Sequence, residues 1–215
     1  SGGGDAGPRL VGVTGTNGKT TTSFLAAALL EALGRRSGIV GTILIRAGER
    51  EVPSTLTTPE ATQLHALMAL MREEEVDTAV MEVSSHAVAY QRIAGLRYAV
   101  AGFTNLTQDH LDLHGSMEAY FEVKAQLFTA RRTDRAVIVV ADDQDEWGLR
   151  MARRAREELG AEKVEVIALR GGILEDAATA GVYAGCGIVG ASDPAEELAE
   201  TRAKLRPVLG ALGAE

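Results

Sequence analysis

The residues best suited to chemistry stand together near the start of the chain: Gly15, Thr16, Asn17, Gly18, Lys19, Thr20 and Thr21. Two glycines let backbone N–H groups approach the oxygens of an anion closely. A helix that begins at Lys19 adds the partial positive charge of its N-terminus. Lys19 can reach outer phosphates, and the Thr20 hydroxyl can bind Mg²⁺. The run departs from the strict G-x-x-x-x-G-K-[ST] spacing, because Val13 stands where the first glycine belongs. The glycines alone would signal only a turn before a helix. Gly-Lys-Thr-Thr opening that helix is what points to a nucleotide's phosphates.

Glu82 follows Thr78–Met81, a run that reads as a buried strand. A carboxylate there is costly unless it is paired, and beside a phosphate loop the natural partner is Mg²⁺, bound directly or through water. Other candidates are less specific on their own. Ser84-Ser85-His86 reads equally as a helix cap. Asp109, His110, Asp112 and His114 sit in a polar run where turn and cap roles suffice. Lys124, between Val123 and Ala125, is by composition alone a lysine that snorkels to solvent.

These residues need elements to hold them. Leu10–Val13 reads as a strand and Phe24–Leu33 as a helix stopped by Gly34. Ile39–Ile45 and Glu51-Val52 read as strands around the turn at 46–49. Thr58 is the expected N-cap, with Pro59 at N1, of a helix that buries Leu64, Leu67, Met68 and Met71. Strands follow at 78–83, 98–103 and 136–140. Helices are expected from Ser116 to about Ala130 and over 144–159. This alternation predicts an α/β fold, a three-layer sandwich whose mostly parallel sheet is covered by helices on both faces. Ligands of such sheets sit at the carboxyl ends of strands, where the polar clusters after Val13, Met81, Phe103 and Val140 all fall.

The chain has 215 residues, 46% of them hydrophobic, which is enough to bury a core. A net charge of −8 argues against nucleic acid or an acidic membrane surface as a partner, though not against an anion held by one local loop. No apolar run approaches the ~18 residues that span a bilayer. The single cysteine, Cys186, excludes a disulfide framework. Residues 1–8, opening Ser-Gly-Gly-Gly, read as a linker or cloning scar and not as a signal peptide. A cytoplasmic protein is expected; oligomeric state stays open.

Four motifs in order carry a resemblance. Gly15-Thr-Asn-Gly-Lys-Thr-Thr, Leu56-Thr-Thr-Pro-Glu, Met81-Glu-Val-Ser-Ser-His-Ala, and Thr104-Asn-Leu-Thr-Gln-Asp-His-Leu-Asp-Leu-His-Gly-Ser with Lys124 resemble the central ATP-binding domain of the Mur ligase family, E type. The likeness covers about residues 9–155. Folylpolyglutamate synthetases are related but are not expected to carry the Glu-Val-Ser-Ser-His-Ala run or the long Asp-His-Leu-Asp-x-His-Gly run. The resemblance implies an ATP-dependent ligase of peptidoglycan precursor synthesis, which adds a diamino acid to UDP-MurNAc-L-Ala-D-Glu through an acyl phosphate. It implies that residues 15–21 cradle ATP and that Thr20, Glu82 and His110 hold Mg²⁺. Lys124 matches a family lysine carbamylated by CO₂, which then helps to hold a second Mg²⁺. Catalytic roles would fall to Lys19, His110 and Lys124, and UDP-muramoyl-dipeptide contacts to Thr57, Thr58, Ser84 and Arg92. Tyr90 stands where some relatives carry a contributing glutamine.

The likeness does not extend to a UDP-gripping N-terminal domain or to a C-terminal domain bearing an Asp-Asn-Pro-Arg motif. Instead, residues 161–215, including Val182-Tyr-Ala-Gly-Cys-Gly and Glu200 with Lys204, resemble the C-terminal end of chorismate-binding enzymes, isochorismate synthases among them. That family's remaining catalytic residues have no counterpart, so no chorismate chemistry is expected. The tail reads as two strands and a helix from Pro194 to about Leu212, capped by Asp193, packing on the edge of the first domain's sheet. The expected organisation is a chimera with a central ligase-like domain at 9–160. The alternative expectation is a nucleotide-binding scaffold without turnover.

Overall fold

The structure, a computed structural model, describes residues 7–109, 111–142 and 144–168. Strand β1 (Arg9–Thr14) lies between two parallel partners, β5 (Thr78–Glu82) and β6 (Tyr98–Phe103). Beyond β5, β2 (Ser37–Val40) pairs in parallel and carries an antiparallel hairpin, β3 (Ile45–Ala47) and β4 (Arg50–Val52). Beyond β6, β7 (Thr133–Val140) and β8 (Val164–Ala168) add two more parallel strands. The order is β4-β3-β2-β5-β1-β6-β7-β8.

Period-two alternation sorts the strand residues onto two faces. Val13, Ile39 and Val80 pack with Ala27 and Phe24 of α1 (Lys19–Ala32). Leu10, Ala79, Met81, Ala101 and Ile138 belong to the larger core on the other face. That core takes in α2 (Ala61–Glu73), α3 (Ser85–Ala89), α5 (Met117–Ala125) and α6 (Glu146–Leu159); the short α4 (Leu111–His114) precedes α5. The sheet is therefore the mostly parallel, doubly covered one that the alternation predicts.

Three local expectations change. The strand expected over 39–45 ends at Val40, because Gly41 N bonds to Leu44 O at 3.0 Å and closes a turn before β3 resumes. The hairpin reverses at Gly48, within the turn expected at 46–49, and its φ of 59° suits glycine. Thr58 is not the N-cap of α2: Glu60 is, in a reciprocal capping box with Gln63, while Thr58 is buried. The helix capped by Ser116 stops at Ala125 and tightens into a 3₁₀ turn over Gln126–Phe128, where Thr133 Oγ1 takes the Leu127 carbonyl at 2.7 Å. Ser116 does cap α5, its hydroxyl accepting from Ala119 N at 3.1 Å. The glycine turn and helix expected beyond Ala168 lie outside the described residues.

Candidate functional site

β1 is short and buried, so its C-terminal end delivers Thr14 and the turn after it to the edge of the sheet at a fixed height. Gly15 adopts φ 149°, and a Cβ there would stand 1.9 Å from Thr104 Oγ1 at the end of β6. Only a residue without a side chain lets the two loops touch. The contact is fastened by hydrogen bonds. Thr16 N donates to Asn105 O and Asn17 N to Asn105 Oδ1, each at 3.0 Å, while Thr104 Oγ1 donates to Asn17 O at 2.6 Å. Thr107 N adds a bond to Thr16 Oγ1 at 3.0 Å. Asn105 thus orders the loop tip.

Gly18, at φ 83°, opens α1 without a side-chain cap. The first helical bond is made by Thr22 N to Gly18 O, so the amides of Lys19, Thr20 and Thr21 precede the ladder and point out of the helix end. Such an end attracts anions, but its dipole is worth only about 0.3–1 kcal/mol. Lys19 brings more.

Lys19 Nζ donates to Gly15 O at 3.0 Å and to Thr16 O at 2.8 Å. Lys124 Nζ donates to the same Gly15 O at 3.0 Å and lies 4.7 Å from the centroid of the Tyr120 ring. Two amines therefore meet at one loop carbonyl. Far from snorkelling, Lys124 is only 1% exposed. Burial, and then the neighbouring Lys19, hold its pKa well below the ordinary 10.5; Asp109 opposes the shift. Burial also lowers Lys19, against the pull of Glu82 and Asp109.

Glu82 ends β5 on the opposite side of the loop and is fully buried. Its Oε2 accepts from Thr20 Oγ1 at 2.9 Å and from Thr42 Oγ1 at 3.1 Å, and its Oε1 from Thr42 N at 3.0 Å. Adjacent ligands of an octahedral Mg²⁺, with bonds of about 2.1 Å, stand about 3.0 Å apart. The hydroxyl and carboxylate oxygens already hold that spacing, so the donor set fits a hard divalent cation. Among the described residues no group of three or more His, Cys, Asp or Glu is arranged to hold a metal. His110 lies outside the described residues.

Thr57, Thr58, Ser84 and Arg92 gather beside Glu82. Thr58 is buried, its Oγ1 donating to Glu82 O at 2.8 Å and accepting from Ser84 N at 3.1 Å. Ser84 caps α3 by accepting from Ala87 N. Arg92 donates to Thr58 O at 3.3 Å and pairs with Glu60 at 2.9 Å. On the other side of the loop, a cavity of about 360 Å³ opens between α1 and β6–β7. It is floored by Val100, Val137 and Val139 and rimmed by Thr21, Thr22 and Asn105. Sequence reasoning passed over Thr42 and gave Asn105 no role beyond its place in the polar cluster after Phe103, although both follow strands at the sheet's carboxyl edge, the place where polar residues gather. No helix among the described residues is long and apolar enough to cross a membrane.

A family model described as Mur ligase middle domain matches residues 13–169, and one described as chorismate binding enzyme matches residues 162–213. The chain is 49% identical over 147 residues to the UDP-N-acetylmuramyl-tripeptide synthetase of Leifsonia xyli, covering 68% of this chain and 28% of that protein. It is 50% identical over 151 residues to the UDP-N-acetylmuramoyl-L-alanyl-D-glutamate--2,6-diaminopimelate ligase of Corynebacterium glutamicum, 69% of this chain and 29% of that one. A solved structure of a ligase of that name superposes with a TM-score of 0.61 at 32% identity, over 76% of this chain and 32% of the other. E. coli FolC, solved with DHPP and ADP, shares the fold at a TM-score of 0.51 and 20% identity, over 93% of this chain and 53% of its own. The chain spans less than a third of the length of the two curated relatives. With well over half of its length matching that middle domain, the chain belongs to the Mur ligase family.

Proposed function

We propose that residues 9–160 are the ATP-binding, acid-activating domain of a ligase that joins a diamino acid to the glutamate of UDP-MurNAc-L-Ala-D-Glu. The observation that carries this reading is the meeting of Lys19 and Lys124 at Gly15 O, with Glu82 facing Thr20 across the same loop. A charge-assisted hydrogen bond is worth about 1.5–3 kcal/mol, so the Lys19 ammonium alone outweighs the helix dipole as a triphosphate ligand. The amides of Lys19, Thr20 and Thr21 orient the phosphates, and the cavity beside Thr21 and Thr22 has room for the nucleoside.

In the reaction a glutamate carboxylate oxygen takes the γ-phosphoryl group, releasing ADP and leaving an acyl phosphate. The amine of the diamino acid then displaces phosphate and loses a proton to form the amide. Lys19 stabilises the charge on the transferring group, and Arg92, Ser84 and Thr57, with Thr58 bracing them from behind, hold the muramoyl-dipeptide in line. Thr20 and Glu82, joined by His110, would hold Mg²⁺, which supplies charge neutralisation at the phosphates. Lys124 has the environment of a CO₂ acceptor. Its depressed pKa favours the neutral amine, which adds to CO₂ and releases a proton, leaving a carbamate whose oxygens suit a second Mg²⁺.

The corresponding segment of the C. glutamicum ligase replaced by residues 9–168 should yield an enzyme that makes the tripeptide, and the same graft with Lys19→Ala should not. A graft that folds and binds Mg-ATP but releases no phosphate with both substrates present would overturn the assignment. That outcome would favour a second reading, a nucleotide-binding scaffold without turnover. The chorismate-type match over residues 162–213 speaks for such a hybrid.

A further inference from the structure

We infer that Thr42, with the glycine before it, is a positioning residue that sets the Glu82 carboxylate at the mouth of the phosphate loop for a divalent cation; this rests on the nucleotide-and-metal reading above. A glutamate side chain has three rotatable bonds, and at the end of a strand it has no reason of its own to choose one rotamer. Three donors choose it here. Thr42 N fixes Oε1 at 3.0 Å, while the hydroxyls of Thr42 and Thr20 share Oε2 at 3.1 and 2.9 Å. The main-chain bond survives most substitutions at position 42. The hydroxyl bond does not, and it is the one made to the oxygen that faces Thr20.

Gly41 carries the second, independent observation. A Cβ on it would lie 2.3 Å from Glu82 Oε1 and 3.2 Å from its carboxyl carbon. Contacts that short are not tolerated, so any side chain at position 41 expels the carboxylate from its place. The break in the strand after Val40 therefore has a purpose: the Gly41–Leu44 turn brings an amide and a hydroxyl to Glu82 where a continuing strand would have carried them past it. Thr42 Oγ1 also lies 3.0 Å from Thr57 Oγ1. Its single proton serves either Glu82 or Thr57, which ties the carboxylate to the side of the site where Thr57 stands.

The test uses Mn²⁺ as the probe, followed by electron paramagnetic resonance on the full chain in the presence and absence of ATP. Thr42→Val keeps shape and removes the hydroxyl; it should weaken Mn²⁺ binding about tenfold or more and alter the spectrum of bound Mn²⁺, as loss of a ligand's supporting hydrogen bond does. Thr42→Ser should restore wild-type affinity to within about twofold, because it returns the donor. Gly41→Ala should be weaker than either, and thermal unfolding of all variants separates this from misfolding. Thr42→Val binding Mn²⁺ as tightly as wild type, with an unchanged spectrum, overturns the inference alone. Wild-type protein that takes up no Mn²⁺ with ATP present overturns the metal reading and this inference with it.

Discussion

Lys124 shows how far apart a residue's composition and its place can be. Flanked by apolar neighbours in a helix, it reads as an ordinary lysine whose stem is buried and whose head is wet; family resemblance alone singled it out. The fold instead puts the amine under Tyr120, on Gly15 O and near Lys19. Its folded pKa lies below the unfolded value, so between the two the unfolded chain holds a proton that the folded chain lacks. Stability therefore rises with pH through that window and levels off above the ordinary 10.5. Lys124→Met removes the titration. In CO₂-free buffer the variant's stability relative to wild type should be greatest near neutral pH and shrink in alkaline solution, as read by urea unfolding. A constant difference would contradict the buried-amine account. The same pair of proteins tests the carbamate: with ¹³C-bicarbonate, wild type should show a carbamate carbon resonance that Lys124→Met lacks. Glu82 was legible because a carboxylate closing an apolar run is conspicuous. Thr42 was not, because nothing local marks a threonine that serves a carboxylate 40 residues away.

Among the elements, the strand–loop–helix unit was readable end to end, since β1, its glycines and the start of α1 are each specified by local chemistry. The errors arose where tertiary contacts outbid local preference. Thr58 next to Pro59 has the makings of an N-cap, yet its hydroxyl holds the Glu82 carbonyl and the capping passes to Glu60. The β-rich run from Ile39 was cut short by a turn that Glu82 stabilises. At this scale the loop depends on its contact with β6. Gly15→Ala would place a Cβ 1.9 Å from Thr104 Oγ1 and release the Thr104–Asn17 bond. It should lower Mg-ATP affinity about tenfold or more while costing about 1–3 kcal/mol of stability, as overpacking does. Unchanged affinity in a fluorescent-nucleotide displacement assay would show that this contact does not shape the loop.

For the whole molecule, the alternation of elements sufficed for a mostly parallel sheet clothed on both faces, while strand order came only from the structure. Placing β1 between β5 and β6 brings three strand ends together: Thr14, Glu82 and Phe103, each followed by residues of the site. No local signal encodes that neighbourhood; it follows from how crossover helices fill the two faces. Among the described residues, the sheet's large core stands directly behind the phosphate loop's strand, β1, through Leu10. In our reading this loop, with Lys19 across its mouth, holds a nucleoside triphosphate. Calorimetric titration of Mg-ATP into the chain and into Lys19→Ala tests it most directly. One saturable site in the micromolar-to-millimolar range, weakened about tenfold or more by the substitution, is the result expected. Equal heats from both proteins, or none from either, would contradict it.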